Sequence, residues 1–184
     1  MYREMNMKNI LVIQNKRIGD VLIASVIAQN MKKLFPESTI DYLVYDYTTG
    51  VIENNPNIDN IIVINDKELK KIGNLLQLIK TIRKRKYDII FDPYAKMQSR
   101  LICLFSRATK RIGFKKREKN PPLKFYTHNI SFLKQKSKNC GKAIEDRINM
   151  ITSAFDCSKI AIDEVPKITL TQKEQQYNKL ETYN

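Results

Sequence analysis

Histidine, cysteine and glycine are scarce in this 184-residue chain, and each scarcity removes a class of function. The single histidine, His128, leaves no multi-histidine metal site, and no pair of carboxylates stands at metal-ligand spacing in a recognisable loop. Cys103, Cys140 and Cys157 lie far apart and make no C-x-x-C pair, which excludes a zinc knuckle and a disulfide framework and fits a reducing compartment. Only one of the five glycines follows the first apolar run, so neither the G-x-G-x-x-G fingerprint nor the phosphate-binding G-x-x-x-x-G-K-[ST] loop is present there. No stretch approaches the roughly 20 apolar residues of a membrane-spanning helix. Residues 1–8 carry charge without the apolar centre of a signal peptide and are expected to be disordered. A cytoplasmic chain that touches membrane through its surface is the expectation.

Acidic residues are also few. Nineteen Asp and Glu stand against 33 Lys and Arg, a net charge of +14 that favours phosphates, nucleic acid or an anionic membrane. Part of that excess has a plainer source, since Lys, Asn and Ile are abundant together, as AT-rich codon usage produces. Hydrophobic residues at 42% and aromatics at 9% are those of a globular protein. The length suits one domain of about 150 residues plus a tail.

What is present alternates regularly. Residues 9–14 (N-I-L-V-I-Q) read as a strand buried on both faces, followed by a helix over 19–35 that Pro36 stops. Further strands are predicted at 39–44, at the end of 57–64, and at 87–91. Helices are predicted over 68–86, 97–107 and 141–155. Residues 112–114 and 167–170 are candidate short strands, and 115–124 read as a basic, proline-broken loop. Alternating strands and helices imply right-handed crossovers and a Rossmann-like α/β domain over 9–170, a parallel sheet with helices on both faces. Residues 171–184 are polar and helix-prone with little to bury, and read as the start of a connection to a further domain.

Ligands of such sheets bind beyond the carboxyl ends of the strands, where strand order reverses. The first strand exits into Gln14-Asn15-Lys16-Arg17-Ile18-Gly19-Asp20, which supplies a glycine, two cations and a carboxylate at a helix N-terminus. The helix dipole favours an ionised Asp20, which could take a proton from a hydroxyl attacking an electrophile. The alternative is that Asp20 only caps the helix.

Five segments in order, I-L-V-I-Q-N-K-R-I-G-D-V-L-I (10–23), F-P-E-S-T-I-D-Y-L-V (35–44), N-N-P-N-I-D-N-I-I (54–62), Y-D-I-I-F-D (87–92) and R-I-G-F (111–114), resemble the N-terminal half of the ADP-heptose:lipopolysaccharide heptosyltransferases. The resemblance implies an inverting glycosyltransferase of the two-domain GT-B architecture, with the acceptor held by this domain and the nucleotide sugar by a second one. It makes Asp20 the base on the acceptor hydroxyl and Gly19 the residue that lets the reactants approach the backbone. It needs no metal or other cofactor, ADP-heptose being a substrate. The implied partners are an anionic lipopolysaccharide core acceptor and the cytoplasmic face of the inner membrane, with no nucleic acid expected. The donor's diphosphate and nucleotide would be held outside this chain, which is then an acceptor-side half, inactive alone.

Arg17, Lys96 and the cations Lys115, Lys116 and Arg117 are the expected acceptor contacts, with solvated loops as the plainer reading of the last three. The run 134–138 has the same two readings. Arg83-Lys84-Arg85-Lys86 reads as a solvated helix end, His128 as a structural or surface residue, and Cys103 as core packing. Two rivals remain: a basic nucleic-acid-binding α/β domain, which lacks interleaved aromatic platforms, and a non-catalytic remnant of the glycosyltransferase fold.

Overall fold

The computed structural model describes residues 7–115, 123–134 and 141–170. Six strands form one all-parallel sheet: β1 (Asn9–Ile13), β2 (Thr39–Tyr45), β3 (Asn60–Ile64), β4 (Ile89–Asp92), β5 (Lys110–Phe114) and β6 (His128–Ile130), in the order β3-β2-β1-β4-β5-β6. Five α-helices accompany them: α1 (Ile18–Leu34), α2 (Asp66–Leu69), α3 (Ile72–Lys84), α4 (Met97–Phe105) and α5 (Lys142–Thr152). The chain steps from β1 to β2 in one direction and from β3 to β4 in the other. Right-handed crossovers therefore put α1 on one face of the sheet and α3 on the opposite one. The packing agrees, with α5 against α1 and α4 against α3.

The order reverses between β1 and β4, and both strands bury apolar side chains on both faces. Ile10, Leu11, Val12 and Ile13 are inaccessible, as are Ile90 and Phe91, because helices cover both sides. Each such side chain contributes roughly 1.5–3 kcal/mol on burial. Tyr42 of β2 lies under α1 and donates its hydroxyl to the carbonyl of Val21 at 3.1 Å. Its neighbour Asp41 faces the other way. Arg85 donates to it at 2.6 Å, Asn60 at 2.8 Å, and Tyr87 through its hydroxyl, so the end of α3 is tied to the sheet by a buried carboxylate.

Several boundaries differ from the sequence reading. The single helix expected over 68–86 is two, α2 and α3, because Lys71 is extended at their junction and the Asn74 side-chain amide donates to the Glu68 carbonyl at 3.1 Å. Strand β6 has only three residues and no alternating pattern to announce it. Residues 167–170 form no strand. Instead 161–163 lie along α1, where Asp163 pairs with Lys33 at 2.8 Å and exchanges hydrogen bonds with Asn30. The expectations for 1–6 and 171–184 lie outside the described residues.

One network fixes the carboxyl end of β4. Asp92 is fully buried; its Oδ1 accepts the Ala95 amide at 2.8 Å and its Oδ2 the Tyr126 hydroxyl at 2.6 Å. Tyr126 reaches it by crossing Gly113, the register partner of Asp92 on β5, and a Cβ at that position would overlap the tyrosine ring. The glycine of the R-I-G-F segment is thus required by a close approach. Burial raises the Asp92 carboxyl above its ordinary value of 3.8, against the hydrogen bonds from Tyr126, Ala95, Ser99 and Tyr94, which favour the charged form. Burial also pushes up the neighbouring Cys103 thiol, which is core packing as expected.

Gly113→Ala should cost about 1–3 kcal/mol by overpacking, and much less in a Tyr126→Ala background, a coupling that urea denaturation of the two single variants and the double variant measures. A folded-state value above the unfolded one means that the Asp92 contribution is fully present below about pH 3.8 and is lost as pH rises through the folded value. The stability of the wild-type chain relative to Asp92→Asn should therefore fall as pH is raised from 3 towards 7, in denaturation curves recorded side by side.

Candidate functional site

A cleft of about 510 Å³ opens at the carboxyl edge of the sheet. The β1 to α1 turn contributes Lys16, Arg17 and Asp20; β2 and the 3-10 turn after it contribute Tyr45 and Tyr47; Asp66 comes from the start of α2, and Tyr94 and Lys96 from the loop after β4. The site therefore straddles the reversal of strand order, where a doubly wound sheet leaves a crevice.

Asp20 is the third residue of α1. Arg17 occupies the cap position without a side-chain cap bond, so the reading of Asp20 as a simple cap is not what the fold shows. Its carboxylate instead takes Lys16 Nζ at 2.9 Å, one turn back, and remains a quarter exposed to the cleft. Val21 makes the first intrahelical bond, to Arg17. The amides of Ile18, Gly19 and Asp20 are thus the orphan donors of the helix start, and with the dipole they favour an anion beside them. A Cβ on Gly19 would meet nothing within 4 Å, so the fold itself does not demand glycine there.

The opposite wall is set by the Asp92 network. Its bond to the Ala95 amide holds Ala95 at φ 53°, and this turn presents Tyr94 and Lys96 side by side, the Lys96 ammonium 4.7 Å from the Tyr94 ring centre. Tyr45 and Tyr47 stack at 5.7 Å on the third side. The Tyr45 hydroxyl donates to Asp66 and holds that carboxyl below its usual range, helped by Lys70 and Lys96 and opposed by burial. Three cations and two carboxylates line the cleft, a balance suited to a polar ligand with negative charge.

Of the expected site residues, Arg17, Asp20 and Lys96 line this one cleft, with Gly19 in the helix turn between the first two. Lys115 is exposed just past β5 and outside the lining; Lys116 and Arg117 lie outside the described residues, as does most of the 134–138 run. His128 sits on β6 with its Nδ1 2.9 Å from the Thr127 hydroxyl, remote from the cleft lining. Sequence reasoning missed Tyr45, Tyr47 and Asp66, although the strand-exit rule applied to β2 and β3 would have found them. It also missed Arg147 of α5. That arginine is buried, its Nε has no partner among the described residues, and its charge acts on Asp146, Asp20 and Tyr42. Burial pulls its guanidinium below the usual value. Its spacing from Ile144 and Ile151, a cation on an apolar face, was the available sign. Among the described residues no three His, Cys, Asp or Glu side chains gather as a metal-binding group, and no helix is long and apolar enough to cross a membrane.

No protein-family model matches the chain. Among curated proteins it is 36% identical over 77 residues to lipopolysaccharide heptosyltransferase 3 of Escherichia coli, covering 40% of this chain and 23% of that protein. It is 28% identical over 122 residues to lipopolysaccharide heptosyltransferase 1 of Campylobacter coli, covering 66% and 34%. In fold it matches a glycosyl transferase family 9 protein of Veillonella parvula with a TM-score of 0.69 at 18% identity, covering 96% of this chain and 49% of that one. It also matches Escherichia coli ADP-heptose lipopolysaccharide heptosyltransferase II, with a TM-score of 0.66 at 17% identity, covering 92% and 49%. The chain thus spans about half the length of these solved structures. The sequence matches and the fold matches converge, and the family this chain resembles is that of the lipopolysaccharide heptosyltransferases.

Proposed function

We propose that the chain is the acceptor-side part of an inverting glycosyltransferase that moves a heptose, or a similar sugar, from a nucleotide sugar to a hydroxyl of a lipopolysaccharide core acceptor. The observation that carries this reading is Asp20, an accessible carboxylate in an electropositive cleft at the reversal of strand order. The acceptor hydroxyl attacks the anomeric carbon from the face opposite the leaving group. As the new C–O bond forms, the bond to the diphosphate breaks, the proton passes to Asp20, and the nucleoside diphosphate departs with the bonding electrons.

Lys16 would hold Asp20 in place, Arg17 and Lys96 would orient phosphate or carboxylate groups of the acceptor, and Gly19 would keep the helix start open to the reacting sugar. Lys115, Lys116 and Arg117 are assigned further contacts with the anionic acceptor, at the cytoplasmic face of the inner membrane. One structural neighbour holds ADP-2-deoxy-2-fluoro heptose and another ADP, which supports ADP-heptose as donor. Neighbours about twice as long support a second, donor-binding domain beyond residues 171–184.

The test joins this chain to the donor-binding half of a heptosyltransferase and follows release of ADP from ADP-heptose with a core glycolipid acceptor. Asp20→Asn should lower kcat by about 10²–10⁴ with KM little changed, as expected for loss of a general base. Transfer undiminished in Asp20→Asn would remove that role, and no transfer in any combination would favour a non-catalytic remnant. Gly19→Ala gives an independent check: the helix should become more stable by up to about 1 kcal/mol, because a methyl group there meets no neighbour, while transfer falls if the reacting sugar approaches this backbone.

A further inference from the structure

A second charged cavity, of about 640 Å³, lies at the opposite edge of the sheet, where the chain enters β4 and β5. Lys80, Arg83 and Lys84 of α3 line it, together with Lys86 and Arg107 from the turns that follow α3 and α4. None of these five cations has an ion-pair partner among the described residues. The one carboxylate in the lining, Asp88, already accepts the Asn9 amide at 2.9 Å.

The backbone aims two of the cations by the same device. Ile89 of β4 and Lys110 of β5 are register partners, and the residues three before each, Lys86 and Arg107, hold φ at 52° and 65°. Such a left-handed residue commonly ends a helix, but glycine or asparagine adopts it at less cost than lysine or arginine. The helix C-termini accept a cation or two through their dipoles. They do not account for five around one cavity, where like charges repel.

We propose that this cavity is a binding site for a compact anion bearing more than one phosphate group. Its volume is that of a small-ligand site. Arginine forks and lysine ammonium groups are the donors that phosphate oxygens take. The site is separate from the cleft and does not depend on the reading of Asp20.

Calorimetric titration of the chain with inorganic tripolyphosphate tests this, alongside sedimentation with phosphatidylcholine vesicles containing phosphatidylglycerol, which separates a free anion from a lipid headgroup. Binding should weaken at least ten-fold in Lys86→Gly/Arg107→Gly, whose melting temperature should not fall since glycine suits both backbone positions. It should persist in the cleft variant Lys16→Gln/Arg17→Gln. Lys80→Gln/Lys84→Gln, changed only at exposed helical positions, should weaken it as well and serves if the glycine variant does not fold. Vesicle binding without tripolyphosphate binding, lost in the same variants, would overturn the proposal in favour of a lipid surface, since a phosphatidylglycerol headgroup carries one phosphate. Binding of neither probe, or binding unchanged in the cavity variants, overturns the proposal.

Discussion

The hydrogen bond from Tyr126 to the buried Asp92 side chain joins three strands of the sheet at the edge where the cleft opens. It fastens the segment before β6 over β5 and onto the end of β4, and it forces position 113 to be glycine. Phe125, next to Tyr126, is held as well: its carbonyl accepts Arg111 at 3.1 Å and its ring lies 4.2 Å from the Arg100 guanidinium. The second oxygen of Asp92 shapes the turn that carries Tyr94 and Lys96. A carboxyl group removed from water is costly, and here the donors around it offset part of that cost while fixing one wall of the cleft.

The legible part of the sequence was the part governed by burial. Residues 10–13 are apolar without interruption because helices cover both faces of β1, and that run, with the alternation of strands and helices after it, implied a parallel sheet and the crevice at its edge. Strand β6 was illegible because it is an edge strand of three residues, paired on one side, with too little buried surface to leave a period. The split between α2 and α3 depends on an extended Lys71 and a side-chain amide capping a carbonyl, which apolar spacing does not record. Arg17, Asp20 and Lys96 could be nominated because each follows a readable strand. Arg147 could not be placed near Asp20 from sequence, since α5 meets α1 only through the tertiary fold.

The charge of +14 also has a structure. Some cations are spent on local pairs, as Lys33 with Asp163 and Arg85 with Asp41. Among the described residues, two groups of cations gather around cavities at opposite edges of the sheet. At the carboxyl edge the cations are interleaved with Asp20 and Asp66 and with tyrosine rings, a mixed surface that can orient a sugar bearing an acidic group. At the amino edge they surround one occupied carboxylate, a uniform surface that selects charge alone. One net charge thus covers two different chemistries.

Three carboxylates near the carboxyl edge, Asp92, Asp66 and Asp20, are separated in role by their surroundings. Asp92 is closed to solvent, engaged at both oxygens, and raised by burial, so no incoming hydroxyl can reach it. Asp66 is accessible, but the Tyr45 hydroxyl and Lys70 stabilise its charge and so weaken its pull on a further proton. Asp20 alone combines access to the cleft, a place in the first turn of a helix beside orphan amides, and an ammonium group that can swing away from it on a flexible stem. A base must be reachable before its strength matters. By that criterion Asp20 is, of these three, the one an incoming hydroxyl meets most readily, and the buried Asp92 at the end of the adjacent strand β4 fixes the wall that faces it.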